Sequence, residues 1–163
     1  MPSQVPRAGA NTMTNLFTSD LAEILISYHN KVKPSEMRKV SCSSESAEVL
    51  RTIWSDRIEY VEEFMMICLN RANKVLGWAR ISSGGVSGTV ADPKVIFQVA
   101  LKANASNIIL SHNHPSGNLQ PSEADIRLTR KVKEAGLLLD LPVLDHIILT
   151  PESYYSFADE GMM

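Results

Sequence analysis

Ser111-His112-Asn113-His114-Pro115-Ser116-Gly117, with Ser122 and Asp125 close behind, decides how this chain is read. The run ahead of it, Asn107-Ile108-Ile109-Leu110, is apolar, holds two β-branched residues and predicts a buried strand ending at the histidines. Residues two apart on a strand face the same way, with Cα atoms roughly 6.6 Å apart at about 3.3 Å per residue. His112 and His114 can therefore converge on one ion while Asn113 points elsewhere. Pro115 and Gly117 stop the strand.

The next element offers a third ligand. Ser122-Glu123-Ala124-Asp125 opens a helical pattern whose apolar face takes in Ile126, Leu128, Val132, Ala135 and Leu139, with Arg127, Arg130, Lys131, Lys133 and Glu134 mostly outside it. Ser122 is the expected N-cap. Ser-x-x-Asp is also a capping-box-like signature in which the carboxylate returns to the cap's backbone N–H. Alone it reads as a helix start; beside two histidines it reads as a ligand as well, so capping and catalysis can share these residues. A helix start also offers free N–H groups near an anion bound at a metal.

Two neutral imidazoles and one carboxylate leave a coordination position for water, as catalytic zinc sites do, and zinc is the favoured ion. Iron(II) is the competitor, because the facial triad of iron oxygenases has the same ligand types. A hydrolase further needs a base and an oxyanion donor. The base candidates are Glu62 and Glu63, at the head of the apolar run Phe64-Met65-Met66-Ile67-Cys68-Leu69-Asn70, a second expected buried strand. No spacing rule chooses between them. Ser122 is the donor candidate.

A Glu, then His-x-His, seven intervening residues, Ser, two more and Asp resembles the JAMM motif of the JAB/MPN+ metalloprotease superfamily, and His114, Ser122 and Asp125 reproduce its spacing. His-Asn-His-Pro-Ser-Gly at 112 to 117, Pro-Ser-Glu-Ala-Asp at 121 to 125 and Leu-Asp-His at 144 to 146 resemble more closely the RadC-type branch, long labelled a DNA repair family. The likeness runs from about Ser44 to Gly161. It takes in Leu69-Asn70-Arg71-Ala72-Asn73, the Gly84-Gly85 to Thr89 turn and the closing Tyr154-Tyr155-Ser156-Phe157-Ala158-Asp159. The resemblance implies zinc held by His112, His114 and Asp125 with a water in the open position. It makes Glu62 the general base, with Glu63 as the alternative, and Ser122 the hydrogen-bond donor to the oxyanion. It also implies a three-layer α/β/α fold like that of cytidine deaminases, with a mixed central sheet.

Full-length RadC-type chains carry an N-terminal helical region with a helix-hairpin-helix DNA-binding motif. Residues 1 to 20 are rich in Ser, Thr, Asn and Pro, show no such pattern and read as a loose tail. The expectation is a flexible 1–20 followed by a single JAB/MPN-like catalytic domain over 21–163. At 163 residues and 44% hydrophobic, the chain has room for one sizeable core. A net charge of −2 gives no global attraction to nucleic acid, so binding there is expected to be weak or absent. The basic residues after Asp125 read as a solvated helix face. Two cysteines, Cys42 and a core-like Cys68, make no disulfide framework and favour a reducing cytoplasm. No signal-like segment or long apolar run appears, and no membrane partner is expected.

Elsewhere, Leu21 to Tyr28 reads as an edge strand and Lys31 to Lys39 as a connection. Ser43 and Ser44 head a helix running through Val49, Leu50, Ile53 and Trp54; a strand at Val75 to Ile81 forms a hairpin with the Phe64 strand. Asp92-Pro93 starts a helix through Leu101, and a last strand covers Val143 to Thr150. In that strand Asp145 and His146 could orient a zinc ligand, although a structural role satisfied by backbone partners is the simpler reading. The Gly84 to Gly88 loop could flank a substrate groove or simply turn.

Together these readings predict a zinc-dependent hydrolase of amide or isopeptide bonds acting on a peptide or protein. The rival is a non-hydrolytic accessory protein of DNA maintenance that keeps the fold and metal. A zinc nucleobase deaminase is excluded by the lack of a Cys-x-x-Cys pair and a His-x-Glu element. An amidohydrolase barrel is excluded by length, since it needs about 250 residues.

Overall fold

The computed structural model describes residues 31–84 and 90–163. The predicted tail, the strand at Leu21 to Tyr28 and the turn residues 85–89 lie outside the described residues. The elements are α1 (Ser43–Ile53), β1 (Glu63–Leu69), β2 (Val75–Ser83), α2 (Pro93–Lys102), β3 (Asn107–Asn113), α3 (Glu123–Leu138), β4 (Val143–Leu149) and β5 (Tyr154–Ser156).

The five strands make one mixed sheet in the order β2-β1-β3-β4-β5. β1 is antiparallel to both β2 and β3, β3 is parallel to β4, and β5 is antiparallel to β4. All seven residues of β1 are buried, which explains why Phe64 to Leu69 is a continuous apolar run rather than an alternating one. Phe64, Met66 and Cys68 join Ile96, Phe97 and Ala100 of α2 and Val132 of α3 in one core cluster. Ile67 and Leu69 join Ala47, Val49 and Leu50 of α1 in a second. Helices therefore cover both faces, and the expected three-layer α/β/α arrangement is the one observed.

Parallel strands need a crossover, and α3 supplies it between β3 and β4. A crossover leaves from the C-terminal end of the first strand. That connectivity returns the start of α3 to the end of β3, where the histidines are.

Several local expectations change. α1 begins at Ser43 itself, with Cys42 as an N-cap whose side chain makes no capping bond and instead meets Ser44 Oγ at 3.1 Å; Glu45 accepts from the Ser41 N–H at 2.6 Å. β3 ends at Asn113, so His114 stands just beyond it, although its N–H still reaches the Leu149 carbonyl at 3.2 Å. Leu139 is not part of the buried stripe of α3, which consists of Thr129, Val132 and Gly136. The helix stops one residue earlier, Asp140 adopts a positive φ of 51°, and Leu141, whose N–H donates to the Gly136 carbonyl at 2.8 Å, is the leucine buried there. Short β5 escapes the sequence reading because three residues carry too little periodicity.

Candidate metal centre

His112 is the buried penultimate residue of β3, and His114 follows where the strand breaks. Their Nε2 atoms lie 3.0 Å apart. Asp125, in the first turn of α3, brings Oδ1 to 3.4 Å from His112 Nε2 and Oδ2 to 3.7 Å from His114 Nε2. The three ligand atoms all lie within 4.8 Å of one another, the only such group of three among the described residues. His112 is buried, while His114 and Asp125 are partly open to solvent.

The chemistry of the donor set fits a cation. His114 Nδ1 faces the Asn118 carbonyl at 2.6 Å; a carbonyl can only accept, so Nδ1 carries a proton and Nε2 is the atom turned toward the cluster. A carboxylate and two imidazole nitrogens crowd one small volume, and such a cluster is stabilised by a positive charge among them. The Asp125 carboxylate raises the His114 pKa, against the opposing effect of burial, and the Asn118 carbonyl and the charges of Asp125 and Glu62 raise it further. Burial would raise the Asp125 pKa, but the imidazoles of His112 and His114 and the Ser122 hydroxyl outweigh it and hold the carboxyl well below the usual range.

Ser122 caps α3 in a complete capping box. Its N–H donates to Asp125 Oδ2 at 2.7 Å, and its Oγ accepts from the Asp125 N–H at 3.2 Å. The hydroxyl also donates to Oδ2 at 2.6 Å. The cap and the candidate ligand are thus one unit, as the sequence allowed.

The two glutamates separate. Glu62 precedes β1 and lines an open groove together with His114, Pro115, Ser116, Asn118 and Ser122. Glu63 is fully buried elsewhere, accepting from Ser55 Oγ at 2.9 Å and lying 3.1 Å from Arg80 Nε. The pleat explains the division: Phe64 pairs with and stacks on His112, so the residue before it faces away.

Asp145 and His146 separate for the same reason. Asp145 accepts from Ser156 Oγ at 2.6 Å and from the N–H groups of Ala158 and His146, so it ties β5 to β4 rather than joining the cluster. Burial raises its pKa despite these bonds. His146 lies on the other face, with Nε2 2.8 Å from His112 Nδ1. Complete burial pushes its pKa well below the ordinary value, so it is neutral.

Two contributors were not picked out from the sequence. Thr129, one helical turn after Asp125, places Oγ1 2.6 Å from His146 Nδ1. Asn113, expected only to point elsewhere, clamps the segment that carries Glu62: its Oδ1 accepts from the Glu63 N–H at 2.7 Å, and its Nδ2 donates to the carbonyls of Ile58 at 2.6 Å and Val61 at 2.9 Å. Helical spacing from Asp125 could have flagged Thr129. Nothing local points Asn113 to residues fifty or more positions away.

In this layered α/β domain a His-x-His pair at the end of one strand and an aspartate in the crossover helix come together as a group that could hold a metal ion. The profile of the RadC-like JAB domain matches residues 40–162, and the chain belongs to that family. It is 42% identical over 127 residues to a UPF0758 protein of Flavobacterium johnsoniae, covering 78% of this chain and 55% of the relative. It is 39% identical over 135 residues to a UPF0758 protein of Porphyromonas gingivalis, covering 82% and 60%, and 38% identical over 128 residues to one of Salinibacter ruber, covering 78% and 54%. The chain thus spans between half and two thirds of the length of these relatives. Among the described residues no helix is long and apolar enough to cross a membrane.

Proposed function

We propose that this chain is a JAMM-type zinc metallopeptidase that hydrolyses an amide or isopeptide bond in a peptide or protein substrate. The observation that carries the reading is the convergence of His112, His114 and Asp125 beside a groove that Glu62 also lines. His112, His114 and Asp125 would hold zinc, which would supply Lewis acidity and lower the pKa of a water toward roughly 7. The residues of the chain do the rest. Glu62 takes a proton from water in the groove onto its carboxylate and returns it to the leaving amine. Ser122 serves the oxyanion only by turning its hydroxyl proton away from Asp125, which it holds in the present conformation. Both cysteines are free, which supports a reducing cytoplasm as the place of action.

Purified protein should contain about one zinc per chain, and His114→Ala should lose it, because catalytic zinc sites typically rely on three protein ligands. Unchanged zinc in that variant would sink the ligand assignment. Glu62→Gln should keep zinc yet lose at least roughly a hundredfold in hydrolysis. The accessory-protein reading is separated by duplex binding. With a net charge of −2, only weak, steeply salt-sensitive binding is expected; tight, metal-independent binding near physiological salt would favour the rival.

A further inference from the structure

A chain of hydrogen bonds runs from the backbone of one candidate ligand to the ring of another. Thr129 Oγ1 lies 2.6 Å from the Asp125 carbonyl and 2.6 Å from His146 Nδ1; His146 Nε2 lies 2.8 Å from His112 Nδ1. Each link has only one consistent polarity. A carbonyl oxygen has no proton to give, so the single hydroxyl proton of Thr129 goes to Asp125. Thr129 can then only accept from His146, which places the His146 proton on Nδ1 and leaves Nε2 as an acceptor. His112 must therefore donate from Nδ1. Its Nε2 carries a bare lone pair, and that atom faces His114 and Asp125.

We propose that Thr129 and His146 are positioning residues that set the tautomer of His112 and so present its Nε2 lone pair to the metal. The proposal rests on the metal reading of His112, His114 and Asp125. The packing agrees with a fixed ring rather than an adjustable one. His146 is fully buried, stacked on Phe157 at a centroid distance of 4.8 Å and 15° between planes, with Phe64 tilted against it at 5.5 Å. His112 is stacked in parallel with Phe64. Rotation of either ring would break this packing, so the proton pattern alone decides which nitrogen of His112 is available. The relay also couples the two ligand-bearing elements. α3 provides Asp125 and, one turn later, the hydroxyl that orients the ligand on β3.

Thr129→Val tests the relay with little change of volume. It removes the acceptor for His146 Nδ1–H, so the favourable alternative moves that proton to Nε2, and His112 then carries its own on the metal-facing nitrogen. Nitrogen-detected imidazole NMR on metal-free protein near pH 8 should show His112 protonated at Nδ1 in the unaltered chain and at Nε2 in Thr129→Val. Zinc affinity, read by chelator competition, should fall about 10- to 100-fold in Thr129→Val, the range typical for lost outer-shell partners. Thr129→Ser keeps the hydroxyl and should restore the original tautomer and affinity. Wild-type affinity in Thr129→Val overturns the proposal, and so does an Nε2 proton on His112 in the unaltered metal-free chain. That second measurement needs no variant to fold. A chain that shows the expected tautomer but binds no zinc overturns the metal reading instead.

Discussion

Asn113→Ala isolates the clamp that carries Glu62 to the groove. Its amide makes three hydrogen bonds, to the Glu63 N–H and to the carbonyls of Ile58 and Val61, at 2.7, 2.6 and 2.9 Å. Truncation removes one side chain and strands three backbone groups. At about 1 kcal/mol for each bond, and more where the orphaned group stays dry, the sum is roughly 3 kcal/mol. The Glu63 bond is buried and should lie at the upper end; the two carbonyls are partly buried, and water recovers some of their loss. Urea unfolding of metal-free protein should therefore show a loss of about 2–4 kcal/mol. Hydrogen exchange should show residues 58–62 opening more readily than β1, because the strand keeps its ladders to β2 and β3. Zinc content should hold, because Asn113 projects from the face opposite His112. A loss under about 1 kcal/mol would refute the clamp, given the net value of even a single hydrogen bond. Loss of zinc with the stability unchanged would show instead that Asn113 acts on the ligands.

Gly136→Ala should destabilise by about 1–3 kcal/mol in the same unfolding assay, because the added Cβ would meet the Leu141 carbonyl oxygen at 2.5 Å and backbone cannot move aside cheaply. A gain in stability, as helix propensity alone would give, would mean that α3 and Leu141 do not pack this way. Native protein should yield one readily alkylated thiol, Cys42, and unfolded protein two; Cys68 is buried and its pKa is pushed up to about 11. Cys68 ionises more easily unfolded than folded, so its effect on stability is nil below pH 9.0. A loss of about 2–3 kcal/mol should then accumulate as pH rises toward 11, absent in Cys68→Ala when each protein is compared with itself at pH 8. Zinc at a hundred times its dissociation constant should raise the unfolding free energy by about 2.7 kcal/mol, and a chelator should reverse it. A melting temperature indifferent to both would argue against a specific ion at His112, His114 and Asp125.

The strand before His112, the helix after Ser122 and the grouping of His112, His114 and Asp125, which could hold a metal ion, are legible in the chain because each rests on local spacing: period two for the histidines, a cap and an apolar stripe for the helix. Local spacing also explains how Asp125 could be both cap partner and ligand. It fails where two readings differ only in which face of a strand a residue takes. Glu62 and Glu63 were adjacent candidates until the pairing of Phe64 with His112 put Glu63 on the Arg80 side. Asp145 and His146 were one polar pair until the pleat of β4 sent the first to Ser156 and the second to His112.

The sequence by itself determined the class of fold and the residues able to hold a metal, since strand alternation and helix capping act within a few residues. Tertiary structure alone decided the partners of those residues. Thr129 meets His146, and Asn113 meets Ile58 and Val61, only because α3 crosses from β3 to β4 and β1 pairs with β3. A buried side chain accepts whatever donor or acceptor the packed sheet and helices bring to it, and that pairing is long-range in the chain and short-range in space.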